Sequence, residues 1–98
     1  MTTGSLTIEM FNDKIGQNFV IEQAQAPSIT LTLTEVKPLR NFANARRPPF
    51  SLLFKSRGEG ALPQRMYPLR HSALGLHSIF LVPVGRDGDE VSYEAVFN

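Results

Sequence analysis

Residues Ile79–Asn98, IFLVPVGRDGDEVSYEAVFN, carry the clearest statement of fold in this chain. An apolar run, Ile79–Val84, meets the polar segment Gly85-Arg86-Asp87-Gly88-Asp89, and an alternating run, Val91–Phe97, follows. Two strand-like runs joined by Gly/Asp chemistry predict a β-hairpin. In the second run, Tyr93, Ala95 and Phe97 share one face, and Glu94 and Val96 share the other. Glu94 is then a charge among apolar neighbours, expected to pair with an arginine such as Arg47 or to point into solvent.

Working back from the hairpin, the same two-residue period recurs. In Ser28–Val36, Ile29, Leu31 and Leu33 face one way and Thr30, Thr32 and Thr34 the other, which predicts a strand with one buried face. Asn18–Ala24 alternates similarly around Phe19 and Ile21, and Gln23–Ser28, ending in Pro27, reads as the loop between the two strands. Lys37–Pro49 holds three prolines and is expected to be irregular, Phe50–Lys55 is a compact buried strand, and Ser56–Gln64 is turn-rich. Arg65–Arg70 is strand-like, with Pro68 pointing to an edge or a bulge, and His71–His77 reads as a turn. At the start of the chain, Thr7 is expected to cap a short helix over Ile8–Lys14. Its apolar face comprises Ile8, Phe11 and Ile15, and Gly16 ends it in a left-handed conformation.

One short helix and five or six short strands predict a mostly β protein, a small antiparallel β-barrel in a single domain spanning 1–98. A helix leading into bent strands is the layout of SH3-like and Sm-like barrels, an analogy of layout only. The expected core is Phe11, Phe19, Ile21, Ile29, Leu31, Leu33, Leu53, Ile79, Leu81, Val82, Tyr93 and Phe97, with Gly75 and Gly85 at positive φ.

Ninety-eight residues support one modest core. Cysteine is absent, which excludes a disulfide framework and a thiolate metal site. The first residues lack the basic-then-apolar order of a secretory leader, and no apolar run approaches the roughly 20 residues of a membrane span. A soluble cytoplasmic protein without a membrane partner is the expectation. The net charge of +1 conceals an uneven pattern: Lys37–His71 holds eight basic residues against Glu59 alone, while the segments on either side are acidic. Such a chain either presents a basic face to an anionic partner or pairs its middle with its own ends.

No pattern of catalysis stands out. His71 and His77 match no zinc spacing. Ser72 beside His71 lacks the strained G-x-S-x-G turn of a nucleophile, Asp87, Asp89 and Glu90 lack the ligand pattern of a calcium loop, and Gly58-Glu59-Gly60 is not a phosphate loop. The expectation is a protein that is not an enzyme and carries no cofactor or metal. Arg46-Arg47-Pro48-Pro49-Phe50 places two guanidinium groups on a stiff stalk, suited to bidentate contact with phosphate or carboxylate. Arg40, Arg46, Arg47 and Arg57 are therefore candidate phosphate contacts, with Phe42 and Tyr67 as stacking faces for single-stranded nucleic acid. The leading expectation remains an interaction or assembly module that meets a protein partner, or a second copy through an exposed strand edge. A small-barrel RNA or single-strand binder using residues 37–71 is the alternative.

RRPPFSLLF (Arg46–Phe54), LPQ (Leu62–Gln64), Tyr67, His71, Leu74-Gly75, IFLVPVG (Ile79–Gly85) and YEAVFN (Tyr93–Asn98) together resemble a family of small bacterial proteins of uncharacterised function. The likeness spans nearly the whole chain. It transfers no catalytic residue. It implies a stand-alone domain, one associated in some members with genes for tail-collar-type, phage-derived particles.

Overall fold

The computed structural model describes residues 6–40, 48–58 and 61–97. Six strands follow one short helix: α1 (Glu9–Asn12), β1 (Asn18–Ile21), β2 (Ile29–Pro38), β3 (Phe50–Arg57), β4 (Arg65–His71), β5 (Gly75–Asp87) and β6 (Glu90–Phe97). They close into an antiparallel barrel of order β1-β2-β3-β6-β5-β4. The chain thus makes two three-stranded meanders, β1–β3 and β4–β6. Third strand pairs with third strand along Phe50↔Phe97 to Arg57↔Glu90, and first with first through Val20↔Arg70.

Local chemistry explains most boundaries. The β5–β6 hairpin turns at Gly88-Asp89, between the paired Asp87 and Glu90. Gly88 takes φ +64 there, a conformation glycine adopts without a Cβ penalty. Gly85 does not take positive φ, against expectation: it lies within β5 opposite Ser92, beside a register shift that leaves Val84 as a bulge. A second bulge in β2 falls between Leu33 and Glu35, where the Thr34 hydroxyl donates to the Leu53 carbonyl at 3.1 Å. The extra residue keeps Val36 pointing inward after the alternation of Ile29, Leu31 and Leu33, and such bulges increase the bend that a narrow barrel needs. Pro68 sits in β4, whose rungs run to β5 along its whole length but to β1 only at Arg70, so the expected edge character holds.

The helix is shorter than Ile8–Lys14. Ile8 rather than Thr7 occupies the cap position with no side-chain bond, and Thr7 contributes its carbonyl to the Met10 N–H at 3.1 Å instead. A four-residue helix turns too few side chains inward to bury Ile15, which is exposed, while Gly16 takes φ +90 as expected. Leu6 and Phe11 plug this end of the barrel. The Phe11 ring lies 6.2 Å from Phe19, 6.0 Å from Phe50 and 6.3 Å from Phe97, and Phe50 and Phe97 stack at 4.6 Å. At the other end, half-buried Leu62 packs against the core, its N–H donating to the Tyr93 hydroxyl at 2.9 Å.

Two expected core residues are not in the core. Leu53 and Val82 are half-buried on the outer wall, while Leu52, Phe54, Val91 and Ala95 fill the interior with the other inward residues. Alternation in FSLLFK already separates the two faces, since Phe50, Leu52 and Phe54 share one phase and Leu53 shares the other with Ser51 and Lys55. Pairing Phe50, Leu52 and Phe54 with Phe97, Ala95 and Tyr93 places them inside. Ile29 and Phe97 pack against the core at its ends.

Two outcomes follow. Phe11→Ala, which empties the centre of a four-ring cluster, lowers unfolding free energy by about 3–5 kcal/mol in urea titration. Deleting Tyr93–Asn98 removes most of the strand that joins the meanders and abolishes cooperative melting; a truncated chain with an unchanged transition would refute the ladder's role.

Candidate functional site

Both histidines serve the turn between β4 and β5. His71, 4% exposed, ends β4 with its ring 4.7 Å from that of Phe19. Its Nδ1 accepts the N–H groups of Ala73 at 3.0 Å and Leu74 at 3.2 Å, so the proton sits on Nε2, which donates to Gln17 Oε1 at 2.6 Å. Gly75, at φ +82, turns the chain back so that it pairs with His71. His77 Nε2 donates to the Leu74 carbonyl at 2.8 Å. With both His71 nitrogens committed, the ring has no lone pair to offer Ser72 as a base, and it fastens the turn instead.

Burial holds the His71 pKa below its ordinary 6.5, with Lys14 adding to the effect and Asp13 opposing it. Protonation would also cost Nδ1 its two backbone donors. The folded state binds this proton less readily than the unfolded chain. His71 therefore supports stability fully above about pH 6.5, and that support is lost as pH falls below it toward the folded-state value.

The basic residues that crowd the sequence are spread around the wall. Arg40 follows β2 at the helix end, beyond Pro38 and its partner Phe50, whereas Arg57 closes β3 at the opposite mouth. That is about 23 Å of strand at 3.3 Å per residue. Tyr67 is half-buried, and its hydroxyl donates to the Pro63 carbonyl at 2.6 Å. Burial pushes its pKa above the ordinary tyrosine value. Phe42, Arg46 and Arg47 lie outside the described residues, as does any pairing of Arg47 with Glu94. Arg57 meets Glu90 at 3.6 Å and Arg70 meets Glu22 at 3.3 Å, so two cations of the middle segment pair with acids of the flanking ones.

A different surface is concentrated. Of six exposed large apolar residues among those described, five lie on β4–β6: Met66, Leu76, Phe80, Val84 and Val96. Met66 pairs directly with Phe80, and the rung Val82↔Glu94 places Val96 one side-chain row along, beside Phe80. Phe80 is 42%, Val96 48% and Met66 50% exposed. Arg70 flanks this patch on β4 and Glu94 on β6; Glu94 forms no ion pair among the described residues. The signal was present in the sequence. IFLVPV is apolar in both phases, which marks a strand covered on both faces, yet only its inner face is covered here.

The free edge of β5 is a poor contact by comparison. Beyond Leu81, which pairs with Arg65, β5 has no rung to β4, and that stretch carries Pro83, the Val84 bulge, Arg86 and Asp87. These are the devices that discourage edge-to-edge pairing. Among the described residues, no helix is long and apolar enough to cross a membrane.

The transition temperature falls as pH is lowered from 7 to 5 (expected range about the unperturbed histidine value), and His71→Ala removes that dependence while lowering stability. A wild-type transition flat across this interval would refute the assignment of His71.

No curated protein and no solved structure matches the chain. Residues 6–97, which include the helix plug and all six strands, match the family described as Domain of unknown function (DUF6916), and the chain belongs to that family.

Proposed function

We propose that this protein is a non-catalytic assembly module, and that the outer face of β4–β6 docks a second copy of the chain. The supporting observation is the bare apolar patch of Met66, Phe80 and Val96 on strands whose apolar runs have the character of doubly covered ones. The flanking charges select the occupant. Arg70 and Glu94 stand on opposite sides of the patch, so a two-fold axis through its centre sets each Arg70 against the other copy's Glu94. Arg70 already meets Glu22 through Nε, and its remaining guanidinium N–H groups are available for a second carboxylate. The contact uses a face because the neighbouring edge is blunted. Repeated copies of a small module suit the particle accessory role that the family resemblance suggests.

Sedimentation equilibrium tests this reading. The wild type is expected to dimerise with a Kd of about 1–100 μM, as befits a small face. Phe80→Glu yields a monomer. Arg70→Glu and Glu94→Arg each weaken the dimer, and the double variant restores it, because the exchanged charges meet again across the axis. A wild type that stays monomeric throughout this range overturns the reading. Salt-sensitive binding of poly-uridine below about 1 μM would favour the nucleic-acid alternative instead.

A further inference from the structure

The wall of the barrel has a missing rung. β2 and β3 pair from Pro38↔Phe50 to Thr32↔Lys55, and there the ladder stops, although β2 continues back to Ile29 and β3 forward to Arg57. The backbone phase shows what is left open. Leu33 gives its N–H to the Gln17 carbonyl at 3.0 Å, and its own carbonyl accepts from Gly16 at 2.7 Å, so the odd-numbered residues of β2 before the bulge point toward β1. Thr30 therefore points its N–H and C=O toward β3. On β3, Gly58 donates to the Asp89 carbonyl at 3.0 Å, so even-numbered residues point toward β6 and Arg57 points toward β2. Thr30 and Arg57 form the next hydrogen-bonding pair in register, and that pair is not made. Among the described residues, the Ser56 hydroxyl makes a long contact to the Arg57 carbonyl, 3.5 Å, at the gap.

The opening has two unlike sides. Outside the wall, a groove of ≈ 490 Å³ runs past Thr30, Thr32, Lys55 and Arg57, with the Glu90 carboxylate also on its lining beside Arg57. Inside, a recess of ≈ 220 Å³ is walled by Ile29, Leu62 and Val91. Both spaces touch Ile29, Ser56 and Arg57, so they meet at the gap. An extended chain entering there would alternate its side chains between a cationic, hydroxyl-bearing exterior and an apolar interior. Lys55 has no ion-pair partner among the described residues, and Arg57 holds Glu90 only at 3.6 Å.

We infer that the gap between β2 and β3 receives an extended peptide of alternating acidic and apolar residues, which bonds the open backbone groups of Thr30 and Arg57, sets its carboxylates against Lys55 and Arg57, and turns its apolar side chains toward Ile29, Leu62 and Val91. This site is separate from the self-association face and does not depend on it.

The probe is the acetylated, amidated hexapeptide Glu-Val-Glu-Val-Glu-Val, followed by amide NMR of the full chain. In the free protein, the Thr30 and Arg57 amides exchange rapidly with solvent, unlike those of neighbouring paired residues. Addition of peptide to about 1 mM shifts both amide signals and slows their exchange, and a Lys-Val hexapeptide does neither. Lys55→Glu weakens binding by about tenfold or more. Thr30→Pro deletes the gap-facing N–H without touching the bonds to β1 and abolishes the shift at Arg57. If Thr30→Pro fails to fold, Lys55→Glu and the Lys-Val control still decide. Strong protection of the free Thr30 amide, equal binding of the two peptides, or the same shifts from acetate alone would each overturn the inference.

Discussion

The ladder between β3 and β6 is the constraint on which the rest of the structure depends. It runs unbroken from Phe50↔Phe97 to Arg57↔Glu90 and ties together two meanders that share no other long pairing, since β1 and β4 meet at a single rung. Its register decides which apolar residues of FSLLF face inward. A slip of one residue would send Leu53 and Lys55 into the barrel and expel Leu52 and Phe54. The ring cluster at the helix end inherits its geometry from the same register, because the stacked Phe50 and Phe97 are ladder partners and Phe11 seats on both.

The uneven charge of the sequence acquires meaning at the seams between the meanders. Arg57–Glu90 lies across the β3–β6 seam, and Arg70–Glu22 across the β1–β4 seam. Each joins a cation of the central segment to an acid of a terminal one. Exposed pairs of this kind contribute at most about 1 kcal/mol, so they do not hold the barrel shut. They favour the observed partnering over alternatives in which like charges would meet. Among the described residues the basic stretch is divided, because β3 and β4 stand on opposite sides of the wall and carry Lys55 and Arg57 away from Arg65 and Arg70.

The barrel class, a closing hairpin, the strand expected over Ser28–Val36 and the edge character of β4 were legible in the sequence, although β2 runs on to Pro38 and β5 spans Gly75–Asp87, beyond the expected Ile79–Val84. In each, turn residues or strict alternation admit one arrangement. Val82 was not legible, because IFLVPV is apolar in both phases and the pairing with β6 turns it outward, whereas the outward face of Leu53 follows from the phase it shares with Ser51 and Lys55. The bulge at Thr34 leaves no compositional mark, whereas that at Val84 lies between Pro83 and Gly85, and each changes which face the following residues occupy. The candidate surface was half legible. Glu94 stands out in the sequence as a charge among apolar neighbours, but its position across from Arg70, with Phe80 between them, exists only after β4, β5 and β6 are laid side by side. The missing Thr30–Arg57 rung has no sequence signal, since both residues are well suited to a continuous ladder.

A barrel this narrow places its binding chemistry on the outside. Phenylalanine, leucine and tyrosine side chains fill the interior, with the plug at one end and Leu62 packed against the core at the other, so little room remains along the axis. What the wall leaves unsatisfied is then informative, and it is unsatisfied in two ways: an apolar face centred on β5 lacks a cover, and a backbone rung beside β2 lacks a partner. In the cyclic order β1-β2-β3-β6-β5-β4, β2 and β5 stand opposite one another. Two copies joined through their β5 faces therefore direct their β2–β3 gaps away from the contact, one on each side. On the proposed reading, association on one wall would not compete with capture of an extended segment on the other, because the two surfaces share no residue.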